Sequence, residues 1–442
     1  MRGFALAEMA LRSFDRQFGA RCRVQRPDRY RLLDALRPDV RRIARGGGVS
    51  YVGASFGAGV ISQDLGAFDR LLAFDGERGL LEVEAGATIG AVQRFALSHG
   101  WYLPVTPGHP RATIGGCIAA DVHGKNPARD GTFRRQVEAF ELHSPSCGKL
   151  VASANAHADL FAASFAGFGL TGLIVCARLR LARPPASLIL RRVPVRDLAE
   201  AADVLLEAAN ARLLYGWHDG RAAAFGRGVI QIGLAGDASQ GRSRRARASR
   251  DLPGQLRPWP LCAWHRSTIA AANTWLGARW RRPGQAPIDL AEALFPLNRA
   301  RGYFAAFGPG GMDEAQWLIP HARFDAFAEA LREEVARRRP RITLMASKLF
   351  AGPATDLAFD GHGIALAIQL AAPREAAQAG FLEALAELAI GHGGRPNLVK
   401  DSSLTAATVR RAMPAFEAAR ARLATHNPGG LYGSELSRRL AL

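Results

Sequence analysis

The sequence predicts an α+β protein of two domains followed by a short C-terminal segment. Three observations carry this. Up to about residue 181, short β-like runs alternate with glycine-rich turns and one clear helix. Arg183-Pro184-Pro185 then interrupts the chain, because proline fixes its own φ and pushes the residue before it out of the helical region. Beyond that break, strand-like runs alternate with helical ones as far as Gly394. The expected division is 1–185, 186–394 and 395–442, which suits a chain of 442 residues.

The elements follow in order. Val40–Ala44 is an apolar and basic run that stops at Gly46-Gly47-Gly48. Leu80–Glu84 reads as a strand, and Thr88 is placed to cap a helix over Ile89–Ser98 that Gly100 closes. Glu138–His143 and Leu173–Leu181 read as strands. In the second part the pattern predicts a helix from Asp197, its N-cap, to Leu213, and a strand over Gly228–Leu234. Ser239–Gly254 is polar, basic and aperiodic, so a surface loop is expected there. Ala263–Trp280 is an amphipathic segment bearing Trp264, Trp275 and Trp280. Strands at Ala315–Pro320, Ile342–Leu349 and Gly363–Leu370 and helices at His321–Arg338 and Glu375–Ile390 complete it. Leu398–Ser402 reads as a short strand entering a turn, with a helix from about Ala406.

Composition narrows the function classes. Hydrophobic residues make up 48% of the chain, enough for real cores. No run of about 18 uncharged apolar residues appears. The N-terminal apolar stretch is broken by Glu8 and lacks a cleavage site, so a cytoplasmic location is expected. The five cysteines, Cys22, Cys117, Cys147, Cys176 and Cys262, are scattered without CxxC spacing, which argues against both a disulfide framework and a metal site. The net charge of +19 is mostly arginine. With no helix-turn-helix or RNA-binding signature beside it, nucleic acid is not an expected partner. Peripheral contact with an anionic inner-membrane face stays open, and the basic stretch Arg242–Arg250 with the tryptophans of 264–280 would suit it.

Three small-residue clusters carry the chemistry: Arg45–Gly53, Pro107–Asn126 and Gly167–Ile174. Glycine lets backbone N–H groups approach a phosphate closely. No GxGxxG opens a helix here, so the Rossmann fingerprint is absent. Taken singly each cluster is an ordinary glycine-rich turn; together they point to a phosphate-bearing cofactor.

The same residues resemble a known family. The runs Arg45-Gly-Gly-Gly-Val-Ser-Tyr51, Leu103-Pro-Val-Thr-Pro-Gly108, Ile114-Gly-Gly116, Val122-His-Gly-Lys-Asn126, Gly169-Leu-Thr-Gly-Leu-Ile174, Trp217-His-Asp219, Lys348-Leu-Phe350 and Lys400-Asp-Ser402 are similar to those of FAD-binding oxidoreductases of the PCMH or vanillyl-alcohol-oxidase type. Within that family the runs resemble the branch of decaprenylphosphoryl-ribose 2′-epimerase oxidase subunits. The resemblance implies a PCMH-type FAD-binding fold with a separate α/β substrate domain on an antiparallel sheet, residues 395–442 returning to the first domain. It implies that Gly46, Gly47, Gly48, Val49, Ser50 and Tyr51 wrap the FAD diphosphate, and that Pro107, Gly108, Thr113, Gly115, Gly116 and Ala119 line the cofactor. Gly169 and Gly172 would also bind the cofactor, and Ile174 would sit on its adenine side. Val49 occupies the slot where covalent relatives carry the bonding histidine, so non-covalent FAD is expected.

The resemblance also assigns catalytic roles. Lys400 would lie beside flavin and substrate, where a compact cation suits developing negative charge. His123 would orient the cofactor or hydrogen-bond the substrate hydroxyl. Lys125, Gln316 and Lys348 would line the substrate site with Lys400. Ala365 stands where the resembled branch has a cysteine facing the flavin. The implied reaction oxidises a secondary hydroxyl of a sugar by hydride transfer to flavin N5. The leading substrate is the 2′-OH of a polyprenyl-phosphoryl pentose. A separate NAD(P)H-dependent keto-reductase would then complete an epimerisation, in cell-wall or polysaccharide biosynthesis. Two alternatives stay open: a soluble alditol or aldonolactone oxidase, and a catalytically silent flavin-binding protein.

Overall fold

The computed structural model describes residues 6–34, 36–37, 39–144, 148–237, 257–280, 282–371 and 375–442. The chain adopts the expected α+β architecture, with an FAD-type domain of small sheets and a separate antiparallel sheet. The first part builds two sheets. One orders the strands Leu6–Arg12, Gly19–Gln25, Ile61–Asp64 and Arg42–Arg45; its first pair is antiparallel and the others are parallel. The other is antiparallel and orders Leu71–Asp75, Leu80–Glu84, Leu173–Arg180, Val137–Ser144 and Gly148–Ser153. The helices Ile89–Ser98 and Ile114–Ala120 bury Ile89, Val92, Ile114 and Ile118 in one core with Leu81, Val83, Phe140 and Leu179. Thr88 and Thr113 cap them, each accepting a backbone N–H three residues on.

The second part is one eight-stranded antiparallel sheet. Its order is 284–287, 187–195, 228–236, 213–218, 342–351, 362–371, 312–320 and 395–396. Side chains alternate between the faces of a strand, and here the two faces differ in character. Trp317, Ile319, Leu366, Ile368 and Ile230 pack against Leu205, Phe324, Leu331, Phe381 and Leu385 of the helices Leu198–Glu207, His321–Arg338 and Ala376–Gly391. The intervening positions, Glu314, Gln316, Gln369, Lys348 and Tyr215, face a cavity shared with the first part.

The C-terminal segment is stitched to the first part. Arg42 N donates to the Leu431 carbonyl at 2.9 Å, and Glu435 N donates to that of Phe56 at 2.7 Å. A buried polar knot ties three remote stretches together beside this junction. Ser402 Oγ donates to Asp15 in the turn of the N-terminal hairpin, and Ser402 N donates to Asp313 of the sheet at 3.3 Å. Asp401 lies next to them and Arg439 reaches in from the last helix, Glu435–Leu440.

The structure corrects two sequence expectations. The helix capped by Asp197 ends at Glu207, and Leu213–His218 is a strand. The turn through Ala208–Arg212 interrupts an apolar pattern that continues in helical register, so periodicity alone overran it. Leu398–Ser402 is a turn held by Val399 N on Asn397 Oδ1 and Lys400 N on the Asn397 carbonyl; the short strand is Arg395–Pro396. The basic stretch Ser239–Gly254, with Arg242–Arg250, lies outside the described residues. The helix Arg266–Trp280 leaves Trp275 exposed, while Trp280 packs edge-on against Trp217 at 5.8 Å. Among the described residues no helix is long and apolar enough to cross a membrane, and no cluster of metal-ligating side chains occurs.

Candidate cofactor and active site

Between the first part and the polar face of the large sheet lies one cavity of about 2730 Å³. Sites for single small ligands run to roughly 300–1,000 Å³, so this space has room for a dinucleotide and a second molecule. Gly46 through Tyr51 line it, as do Pro107, Gly108, Thr113, Gly115, Gly116 and Ala119, and Gly169, Gly172 and Ile174. His123, Lys125, Gln316, Lys348 and Lys400 face the same space. Ala365 does not reach the wall. It lies in a buried cluster with Leu318, Phe350 and Phe359, so Phe359 covers it and Ala367, one step along the same face, lines the cavity instead.

The glycine loop is a cradle that side chains would fill. A Cβ on Gly46 would run into Thr113 Oγ1, and one on Gly47 into the Arg111 carbonyl oxygen. Gly48 has φ +65°, a conformation L side chains rarely adopt. The loop is therefore pressed onto the segment that starts the second glycine cluster, and both present backbone to one space. Gly47→Ala is expected to displace this loop, so the purified variant carries far less bound flavin than wild type. The ratio of 450 nm to 280 nm absorbance measures it, with circular dichroism confirming a retained fold.

At the other side of the cavity the polar groups form two connected sets. In the first, Lys400 Nζ stands 3.0 Å from Glu314 Oε1 and 3.9 Å from the centroid of the Tyr51 ring. Glu314 also accepts from Gln369 Nε2, and Gln369 Oε1 accepts from the Tyr303 hydroxyl at 2.6 Å. The cation is thus fixed by a carboxylate, an aromatic face and a hydrogen-bond chain behind them.

The second set centres on His123. Lys348 Nζ lies 3.2 Å from its Nδ1 and donates to the Gly124 carbonyl at 2.8 Å. Gln316 Nε2 is 3.5 Å from His123 Nε2, while Asn397 Nδ2 donates to Gln316 Oε1 at 2.7 Å and so fixes the amide's orientation. Burial, then the Lys348 charge, pushes the His123 pKa well below its usual value, so the ring is neutral. Burial, followed by Lys125 and Lys400, likewise holds Lys348 far below the ordinary lysine range. Lys125 is lowered to about 8, by burial first and the Lys400 charge second. Three lysines share this corner with a single carboxylate, Glu314, an arrangement that favours an anionic ligand.

Sequence reasoning missed Glu314, Gln369 and Asn397. Glu314 and Gln316 stand at i and i+2 in an otherwise apolar strand, and that spacing was the available signal: both must face the same side.

Sequence comparison adds to this geometry. Residues 32–152 match the FAD binding domain family. Over 424 residues the chain is 27% identical to a decaprenylphosphoryl-beta-D-ribose oxidase of Mycolicibacterium smegmatis, covering 90% of this chain and 89% of that protein. It is 29% identical over 394 residues to an uncharacterized protein in the mprA 5′ region of Streptomyces coelicolor, covering 80% of this chain and all of that protein. A D-lactate dehydrogenase of Anaerostipes hadrus is 25% identical over 151 residues, about a third of either chain. The chain thus carries an FAD-binding oxidoreductase domain and is related to, without being identical to, the mycobacterial oxidase. FAD is its cofactor, and with Val49 in the first loop it is held without a covalent bond.

Proposed function

We propose that this protein oxidises a secondary hydroxyl of a sugar, the 2′-OH of a polyprenyl-phosphoryl pentose, to a keto sugar. The observation that supports this most is the corner where three lysines and neutral His123 meet beside the glycine cradle. The chain-wide likeness to the mycobacterial oxidase supports the substrate class. Bound FAD supplies the hydride acceptor.

The protein's own groups do the rest. Lys400, held by Glu314 and Tyr51, places a fixed positive charge where negative charge develops. The His123–Lys348 pair takes the hydroxyl proton: burial and the neighbouring lysine charges lower both pKa values, which favours their unprotonated forms, and the 3.2 Å contact lets the two share it. Lys125 binds the phosphate as its ammonium form, and Gln316, braced by Asn397, positions a neighbouring hydroxyl. The keto sugar is then a substrate for a separate NAD(P)H-dependent reductase.

The test is anaerobic bleaching of the flavin. Farnesylphosphoryl-β-D-ribose is expected to bleach it at micromolar concentration, and free alditols are not. Bleaching by alditols alone would replace this reading with that of a soluble alditol oxidase.

A pH dependence follows from Lys125. Its pKa of about 8 means the ammonium is present below pH 8 and lost as pH rises through it. The expected result is that kcat/KM for a phosphorylated substrate falls above about pH 8, by about tenfold. Lys125→Arg removes the break, because guanidinium stays charged.

A further inference from the structure

The cavity extends past the lysine corner along the large sheet, and that arm has a polar collar followed by an apolar stretch. Arg192, Gln231 and Tyr215 are cross-strand partners on three neighbouring strands, so they form one row across the sheet. Tyr215 directly precedes the Gly216–Ser347 pair, which puts Lys348 next in the same row. All four line the cavity. The Tyr215 hydroxyl donates to Gln231 Oε1 at 3.3 Å, which turns Gln231 Nε2 outward as a donor. Arg192 has no carboxylate partner among the described residues. Buried Trp217, also on the wall, has an Nε1–H without an acceptor. The collar's N–H groups, on Arg192, Gln231 and Trp217, are donors with no carboxylate acceptor among the described residues, so a ligand that brings acceptors suits them.

Beyond the collar the lining changes. Leu188 and Leu190 share the strand and face of Arg192, and they cluster with Ile288, Leu290 and Ala293 from the segment that crosses the sheet edge. An apolar wall next to a donor-rich collar suits an amphiphile.

We propose that Arg192, Gln231 and Trp217 form the subsite for the phosphate that joins the sugar to its carrier, and that the wall of Leu188, Leu190 and Ile288 takes the first apolar units of that carrier. This rests on the reading of the reaction given above and locates its substrate. With strands about 4.8 Å apart, the row from Lys348 to Arg192 spans roughly 14 Å. A pentose ring with one phosphodiester linkage covers much of that length, and the arginine side chain reaching back along the row covers the remainder. Lys125 then meets the phosphate from the sugar side, and Arg192 from the carrier side.

The experiment uses the FAD-loaded full-length protein and three probes: methyl β-D-riboside, β-D-ribose 1-phosphate and farnesylphosphoryl-β-D-ribose. In Arg192→Met the ratio of kcat/KM for either phosphorylated probe over that for the methyl riboside is expected to fall about 10- to 100-fold. In Ile288→Asp the preference for the farnesyl probe over ribose 1-phosphate is expected to fall, with the phosphate preference retained. An unaltered phosphate ratio in Arg192→Met overturns the subsite. A second measurement separates this from the sugar chemistry: perturbation of flavin fluorescence by farnesyl phosphate, which carries no sugar. Binding to wild type that weakens in Arg192→Met supports the subsite even where no pentose bleaches the flavin, an outcome that would instead sink the proposed reaction. Farnesyl phosphate failing to bind wild type at millimolar concentration overturns the subsite outright.

Discussion

Lys400→Ala is expected to keep its flavin and lose turnover by about 10²- to 10⁴-fold. The glycines of the cofactor cradle, Gly46, Gly47 and Gly48, are pressed onto Arg111 and Thr113 and not onto Lys400, so the yellow colour of the protein is expected to persist. What disappears is a cation fixed 3.0 Å from Glu314 and 3.9 Å from the Tyr51 ring centroid. Lys400→Arg is expected to recover little. A planar guanidinium forks across Glu314 and cannot stand as a compact point charge over the Tyr51 ring. Glu314→Gln provides the complementary variant, since it frees Lys400 without removing its charge. Its rate should fall less than that of Lys400→Ala, because only the position of the ammonium is loosened. A stopped-flow measurement of the anaerobic reductive half-reaction separates these effects from release of product.

Arg439→Ala is expected to destabilise the fold by about 3 kcal/mol at pH 8. Arg439 is the cation whose charge acts on Asp401, Asp313 and Asp15, three buried carboxyls that join the N-terminal turn, the large sheet and the C-terminal return. Burial already raises Asp15 to about 6, and it raises Asp313 and Asp401 as well. The sign of the pH dependence follows. A carboxyl whose folded-state pKa lies above its unfolded value binds more protons when folded, within the window between the two. Stability from Asp15 is therefore lost as pH rises from about 4 to about 6. Removing Arg439 raises these folded-state pKa values further and widens the window. Urea denaturation should show a larger deficit for Arg439→Ala at pH 8 than at pH 5.5. A deficit independent of pH would mean that lost packing on the Phe18 ring, 5.0 Å from the guanidinium carbon, dominates instead.

Local signals in the sequence were legible where a cap or a strict period marked them. The helices Ile89–Ser98 and His321–Arg338 are found at the bounds their sequence pattern implies, the first behind the Thr88 cap and the second behind Pro320. The N-terminal strand Leu6–Arg12 was not legible, since five of its seven residues in a row are exposed and no alternation marks a buried face. The strand Leu213–His218 was hidden by an apolar pattern running on from the preceding helix. Residues of the candidate site were visible as glycine clusters and scarce lysines. Their supports were not: Glu314 meets Lys400 across 86 positions of chain, and Ser402 meets Asp15 across 387. Such contacts are set by how the sheets pack, and no local period reports them. Ala365 shows the limit of reading position by analogy. Register places it on the cavity face, yet the packing of Phe359 and Phe350 closes it off.

The proposed reaction oxidises a sugar carbinol at the Lys400–His123 corner, with reversibly held FAD as the hydride acceptor. Anaerobic stopped-flow absorbance at 450 nm tests it most directly, comparing farnesylphosphoryl-β-D-ribose with the same compound deuterated at C2. Bleaching by both is expected, slower for the deuterated compound by a primary isotope effect of several-fold, with the colour passing into the supernatant after acid precipitation. Bleaching without an isotope effect at C2, or a colour that stays with the precipitate, would contradict it.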